Sequence, residues 1–209
     1  VVVTSRDVLL LDTGLGFEKN GILQLHQNLM DNGISPGDVT KVLMTHLHKD
    51  HAGGVGEGRA GLGARLSFPN AIYYVRRDEL QFAFETGFPS FIPEELECLR
   101  DNPQVELLDG NGEIDGYIHY ELTGGHSPYH QAFRIKEDGE TVFFGGDEAP
   151  QLQQMKHRFV AKYDADGKKA MELRREWWQR GEAENWTFLF YHDVKHPVYS
   201  FGGPASTPI

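Results

Sequence analysis

The short apolar run Lys41–Met44 ends abruptly in Thr45-His46-Leu47-His48-Lys49-Asp50-His51, with Gly53-Gly54 just beyond. A run of that length and composition predicts a strand. The chain must therefore finish a strand on three imidazoles and a carboxylate held within residues 46–51. In an extended segment, side chains two apart point the same way. His46 and His48 are so placed, Asp50 continues the parity and His51 follows directly. Crowding these groups at a strand end costs desolvation unless something binds them. A divalent cation is the simplest partner, since neutral imidazole and carboxylate are ligands that zinc commonly takes.

Three later positions repeat the arrangement. His126 follows Gly124-Gly125 after the strand predicted at Tyr117–Leu122, and Asp147 follows Gly145-Gly146 after Thr141–Phe144. His192 follows the apolar run Trp186–Tyr191. Strand ends of one sheet converge on a rim, where ligands gather. Seven ligand-type residues exceed what one ion needs and match two ions bridged by one carboxylate.

The rest of the chain predicts strands at 1–4, 8–11, 71–75, 105–108 and 132–135, with Glu137–Glu140 as a hairpin turn. Helices are predicted near 20–31, with Asn20 as N-cap and Gly33 as stop, and at 76–86, 94–100 and 167–181. The Gly-rich stretch 53–63 reads as a flexible loop, without the spacing or the Lys-Ser/Thr of a phosphate-binding loop. Interleaved strands and helices place the chain in the α/β or α+β class, and its 209 residues fit a single domain, 1–209. With 20 basic and 31 acidic residues the formal charge is −11. That charge opposes binding to phosphate backbones, so no nucleic-acid partner is expected. No apolar run reaches the length of a membrane-spanning helix. The lone cysteine, Cys98, excludes an internal disulfide, fits a cytoplasmic setting and is expected to be a buried thiol. The chain begins with Val1, so a clipped leader or strand is compatible with it.

His46-x-His48-x-Asp50-His51, followed in order by His126, Asp147 and His192, resembles the metallo-β-lactamase-fold hydrolases, and the likeness runs from VLLLDTG to WTFLFYHD. HLHKDHAGG, IYYVRRDELQFA and TGGHSPYH resemble most the quorum-quenching lactonases and their organophosphate-hydrolase relatives. The resemblance implies a four-layer αβ/βα sandwich with the site on one edge. It implies that His46, His48 and His126 bind a first metal, that Asp50, His51 and His192 bind a second, and that Asp147 bridges them. Asp12 would accept a hydrogen bond from a ligand imidazole and fix its tautomer. The cofactors implied are two divalent ions, zinc first, with manganese or iron as options. A hydroxide shared by two such ions attacks the carbonyl of a lactone, ester or related small acyl substrate, and Asp50 passes a proton to the leaving group.

One position departs from the lactonase pattern. Three residues past the bridging aspartate, where those enzymes carry a tyrosine, stands Pro150; Tyr129 and Tyr191 are the candidate replacements. The alternatives are a glyoxalase-like thioesterase, whose C-terminal helical region the 17 residues after His192 do not accommodate, and a persulfide dioxygenase with one iron on His46, His126 and Asp147.

The remaining histidines read as structural. His26 is a surface or packed helix residue, His119 a packed strand residue, His130 local structure and His157 solvated, while His196 is the rival of His192. One at least of Trp177 and Trp178 is core, because adjacent residues do not share a helix face. DADG at 164–167 lacks the distal glutamate of a calcium loop and reads as a turn and helix start. The phenylalanines at 82, 84, 88 and 91 read as core, with an apolar substrate wall or a homodimer face as the alternatives.

Overall fold

The computed structural model describes residues 1–57 and 65–202, and the chain divides into two compact units, Val1–Asp109 and Gly110–Ile209. The stretch 53–63 was expected to be a loop; from residue 58 it lies outside the described residues.

The first unit is built on a five-stranded sheet. Its strands are β1 (Val2–Val3), β2 (Val8–Leu11), β5 (Lys41–Leu43), β8 (Ile72–Arg76) and β9 (Val105–Leu108), in that spatial order. β1 pairs antiparallel with β2, and every later pairing is parallel. Parallel strands need crossovers, which put helices on a sheet face. Here the connections carry α1 (Gln24–Asp31), α2 (Lys49–Ala52), α3 (Arg77–Thr86) and α4 (Pro93–Leu96). The strand residues Leu10, Val42, Tyr73 and Val75 form one core with Leu29, Leu80, Phe91 and Leu99. Phe82 and Phe84 pack against it, so three of the four phenylalanines are core, while Phe88 is exposed. Cys98 belongs to the same core, and burial pushes its thiol up to about 11. Two two-residue ribbons complete the unit, β3 (Glu18–Lys19) with β4 (Ile22–Leu23), and β6 (Gly56–Glu57) with β7 (Arg65–Leu66).

The β3–β4 ribbon corrects the helix expected from residue 20. Asn20 and Gly21 both have positive φ, 56° and 76°, the conformation of a two-residue hairpin turn that Asn-Gly favours. Asn20 is thus a turn residue, and α1 begins at Gln24 with Leu23 before it. His26 is buried on α1, its ring edge-on to Phe68.

The second unit is a six-stranded sheet. β10 (Gly112–Ile114), β11 (Ile118–Leu122), β12 (Gln131–Glu137) and β13 (Glu140–Phe144) form an antiparallel meander. Asp138-Gly139 is the expected turn between the last two, both with positive φ. After β13 the chain runs through α5 (Leu152–Lys156) and α6 (Gly167–Glu184) and returns as β14 (Thr187–Leu189), parallel to β13. β15 (Val198–Ser200) closes that edge antiparallel to β14. The last strand predicted at 186–191 is therefore shorter, and β10 and β15 were not foreseen. α6 also passes the expected end at Gly181 and stops at Asn185 in a left-handed conformation. Its inward face places Trp177 in a core with Phe143, Trp186 and Phe188, and Trp178 packs on the side of Tyr199 and Phe201.

Among the described residues, no helix is long and apolar enough to cross a membrane.

Candidate metal centre

In the first unit, β2 and β5 lie side by side and parallel, and their C-terminal ends deliver Asp12 and Thr45–His51 together. The buried Asp12 carboxylate accepts from the Thr45 amide and hydroxyl, both at 2.7 Å, and lies 2.8 Å from His51 Nδ1. With its proton given to Asp12, the Thr45 hydroxyl is left to accept from His46 Nδ1, 3.0 Å away. Both imidazoles are thereby held with hydrogen on Nδ1, which leaves each Nε2 a lone pair for a cation. His46 Nε2 stands 3.0 Å from Nδ1 of His48, so two ring nitrogens converge on one point. Ligand atoms of Asp12, His46 and His51 all lie within 4.8 Å of one another.

The extended parity expected from His46 through Asp50 stops at His48. β5 ends at Leu43, and the amides of His51 and Ala52 both donate to the His48 carbonyl, which makes 49–52 a helical turn. Asp50 and His51 are therefore neighbours on a turn, with 3.8 Å between Asp50 Oδ2 and His51 Nε2. Further bonds fix the path: the buried Glu79 accepts from the Leu47 amide at 3.1 Å, Ser90 O accepts from Lys49 N, and Thr13 donates twice to the His51 carbonyl. Gly53 and Gly54 are glycines for lack of room, since a Cβ on either would meet the backbone oxygen of Leu15 or Thr13 at 2.5 and 2.3 Å.

In the second unit, His126, Asp147 and His192 are adjacent. One carboxylate oxygen of Asp147 faces His126 Nε2 at 3.4 Å, and the other faces His192 Nε2 at 3.1 Å. His196 faces Asp193 instead, at 3.8 Å, and is half exposed. His130 is fully buried between Thr123 Oγ1 at 2.7 Å and the Asp147 amide, which donates to its Nε2 at 3.2 Å. It is local structure, as expected, and its task is to hold the Asp147 backbone. Asp193 accepts from the amides of Leu152, Lys195 and His196. Burial raises its pKa, but these three bonds outweigh it and hold the carboxyl below the usual range. The ring of Tyr191 lies beside that of His192, 5.0 Å between centroids, and the His192 amide donates to the Pro150 carbonyl.

Three residues of this region had no signal in the sequence. Glu148, fully buried, accepts from the amides of Gly125 and His126 at 2.5 and 3.0 Å. Arg174 of α6, also buried, donates to the carbonyls of Glu148 and Phe159. Burial lowers its pKa, against the opposing charges of Asp164 and Glu148. Asp164 lies 3.1 Å from His126 Nδ1. Each is remote in sequence from the histidine that it serves, and a lone Glu, Arg or Asp in a polar stretch does not mark its partner. The other histidines are as expected: His119 lies 3.1 Å from Glu113, with its pKa lowered chiefly by burial, and His157 is exposed.

The donor chemistry fits divalent cations. His46, His51 and His126 each have Nδ1 engaged by a hydroxyl or carboxylate, and Asp147 presents one oxygen to each of two imidazoles. The first unit carries histidines at its parallel strand ends and the second a His–Asp–His set on a mixed sheet, and the chain belongs to the metallo-β-lactamase superfamily, whose family model matches residues 1–192. Its relatives include the N-acyl homoserine lactonase AttM of Azorhizobium caulinodans, 31% identical over 117 residues, which are 50% of this chain and 38% of that protein. An N-acyl homoserine lactonase of Bacillus cereus is 30% identical over 107 residues, 51% of this chain and 36% of that one. The chain thus covers well under half the length of these relatives. Among solved structures, a probable metal-dependent hydrolase from Staphylococcus aureus matches with a TM-score of 0.81 at 22% identity, over 95% of this chain and 75% of that one. AidC, a dizinc quorum-quenching lactonase solved with its product, matches with a TM-score of 0.75 at 21% identity, over 94% and 72%. These likenesses bear out the expected fold class, the metallo-β-lactamase αβ/βα sandwich.

Proposed function

We propose that this chain is a dinuclear metal-dependent hydrolase of a small lactone, ester or related acyl substrate, acting as one domain over residues 1–209. His46, His48 and His126 hold one divalent cation, Asp50, His51 and His192 hold the other, and Asp147 bridges them. Zinc is the first candidate and manganese the second. The observation that carries this reading is the Asp147 carboxylate, shared between His126 and His192 with one oxygen each, as a bridging ligand requires. The family match through both units and the lactonase relatives support the reaction class. The charge of −11 favours a small molecule over a nucleic acid, and the single cysteine suits the cytoplasm.

Two divalent cations, when bound, supply Lewis acidity and favour the ionisation of water near neutral pH. The chain's own residues do the remaining work. Asp12 and Thr45 keep the Nδ1 protons of His51 and His46 in place, so that Nε2 of each faces the site without reorganisation. His130 and Glu148 fix the backbone on either side of the His126–Asp147 pair. Asp50, about a third exposed while His51 beside it is buried, is the carboxylate able to pass a proton to the departing alkoxide. Pro150 has no hydroxyl, so the donor that lactonases place there must come from elsewhere, and Tyr191, beside His192, is our candidate.

The test is elemental analysis of protein purified without chelators, followed by turnover of N-acyl homoserine lactones and aryl esters. Two zinc or manganese ions per chain are expected, with hydrolysis that disappears on chelation and in Asp147→Ala and returns to the wild type with added metal. One iron per chain with oxygen uptake would instead establish the dioxygenase reading.

A further inference from the structure

The segment between α5 and α6 is a polar stretch that the sequence reads as a turn, and its structure gives it a second task. Asp164 is almost wholly buried, 2% exposed at the side chain, with Oδ1 3.1 Å from His126 Nδ1. Its Oδ2 accepts from the Ala161 amide at 3.0 Å, which fixes the carboxylate plane. The two following residues bind the same histidine loop by backbone: Ala165 N donates to His126 O at 3.0 Å and Asp166 N to Gly125 O at 2.7 Å. Asp166 then caps α6 by accepting from Lys169 N, and Tyr163 sets its ring edge-on to the imidazole, 5.7 Å between centroids. Arg174 ties the strap at Phe159 O to the Asp147–Glu148 turn at Glu148 O. A solvated turn leading into a helix needs none of these bonds.

We infer that Asp164 is a positioning residue for His126. It holds hydrogen on Nδ1, presents Nε2 toward Asp147 and raises the basicity of that nitrogen toward a cation. This rests on the reading of His126 as a metal ligand. The residues that orient a ligating imidazole typically change metal affinity 10–100-fold when removed. A carboxylate acts more strongly than an amide, because its charge also favours the polarised ring. The strap has a further consequence. A loop joined to His126 by two hydrogen bonds and to Gly125 by a third moves with the histidine, so the order of 161–166 and that of the His126 imidazole are coupled.

The experiment uses the full chain, with Asp164→Ala and Asp164→Asn. In metal-free protein, at a pH where imidazole is neutral, long-range nitrogen–proton NMR reads the tautomer of His126. The wild type is expected to show hydrogen on Nδ1 alone. Asp164→Ala is expected to show both tautomers, and Asp164→Asn, whose amide oxygen still accepts, to keep most of the wild-type form. Zinc competition against a chromophoric chelator is expected to show one of two sites weakened 10–100-fold in Asp164→Ala, less in Asp164→Asn, and the other site unchanged. Circular dichroism confirms folding, and the asparagine variant carries the test if the alanine variant unfolds. Unchanged tautomer and unchanged zinc affinity in folded Asp164→Ala overturn the inference, and so does, where only Asp164→Asn folds, a zinc affinity equal to that of the wild type at both sites. A wild type that binds no divalent cation overturns the proposed function instead, and the tautomer measurement still decides whether Asp164 orients the ring.

Discussion

Replacing Glu148 should cost more stability than any surface carboxylate of this chain. Glu148 is fully buried and accepts from two amides, those of Gly125 and His126. Hydrogen bonds to a charged acceptor contribute roughly 1.5–3 kcal/mol each, so Glu148→Ala forfeits about 3–6 kcal/mol. It also strips Arg174, itself buried, of one of the two carboxylates that compensate its charge. Removing one member of a buried charged pair costs about 3–5 kcal/mol. The two accounts describe overlapping losses, and about 4 kcal/mol is the working figure. In a chain of this size each kcal/mol moves Tm by about 2–4 °C, so Glu148→Ala should melt about 8–16 °C below the wild type. Glu148→Gln keeps an oxygen for both amides but only neutral bonds, worth roughly 0.5–1.5 kcal/mol each, and should lose about half as much. Scanning calorimetry on metal-free protein is the right assay, because bound ligand raises apparent stability by mass action. A melting point of Glu148→Ala within about 2 °C of wild type refutes this reasoning, and so does a glutamine variant as damaged as the alanine one.

Asp12→Asn should lower zinc affinity about 10–100-fold, since an amide cannot accept from Thr45 and His51 on both oxygens; chelator competition measures it. Gly181→Ala should lower Tm, although alanine favours a helix by about 1 kcal/mol over glycine. The new Cβ would lie 2.4 Å from Phe188 Cε2, and overpacking of that kind costs about 1–3 kcal/mol. A rise in Tm would show that the Phe188 ring yields freely. Native Cys98 should react with Ellman's reagent at least about 100-fold more slowly than in urea. A thiol at about 11 is roughly 0.1% thiolate at pH 8, against roughly a quarter for a free one. Because its folded pKa is raised, the Cys98 contribution to stability is complete below the unfolded value and is lost as pH climbs toward 11. Cys98→Ser should flatten that alkaline slope in urea titrations at pH 8–11.

The candidate ligand residues were legible because strand-end histidines have no cheap structural explanation. His46, His48 and His51 announce themselves by spacing, and Asp147 and His192 by their place after apolar runs. The carboxylates behind them were hidden. Glu148 and Asp164 act on His126 across 22 and 38 residues, and no local pattern encodes such a distance. The missed elements have local causes. β10 is only Gly112–Ile114, and β15, Val198–Ser200, is half-buried without alternation, so neither shows a period. Asn20-Gly21 was available as a hairpin signal, but Ile22, Leu25 and Leu29 share a helical period, and that period outweighed the turn. Gly181 reads as a helix end when its neighbours are viewed alone, whereas its reason is the ring of Phe188 against it.

The loops that carry His46–His51 and His126 are therefore each tied from behind by a buried carboxylate from elsewhere in the chain: Asp12 for His46 and His51, Glu148 and Asp164 for His126. Burying a carboxylate costs several kcal/mol unless its oxygens are bonded, and a protein whose only need was a packed core would place apolar residues there. All three carboxylates are spent instead on fixing amides or Nδ1 protons, in a chain already carrying −11. That excess negative charge is self-repulsive wherever it is concentrated, and cations between the histidines are what would relieve it. On the proposed reading, the carboxylates that orient the imidazoles would also favour a bound ion of positive charge. Metal loading should accordingly raise Tm more at low ionic strength than at high, with the difference reduced in Asp164→Asn. An increment equal at 20 and 500 mM salt would leave orientation as the sole role of these carboxylates.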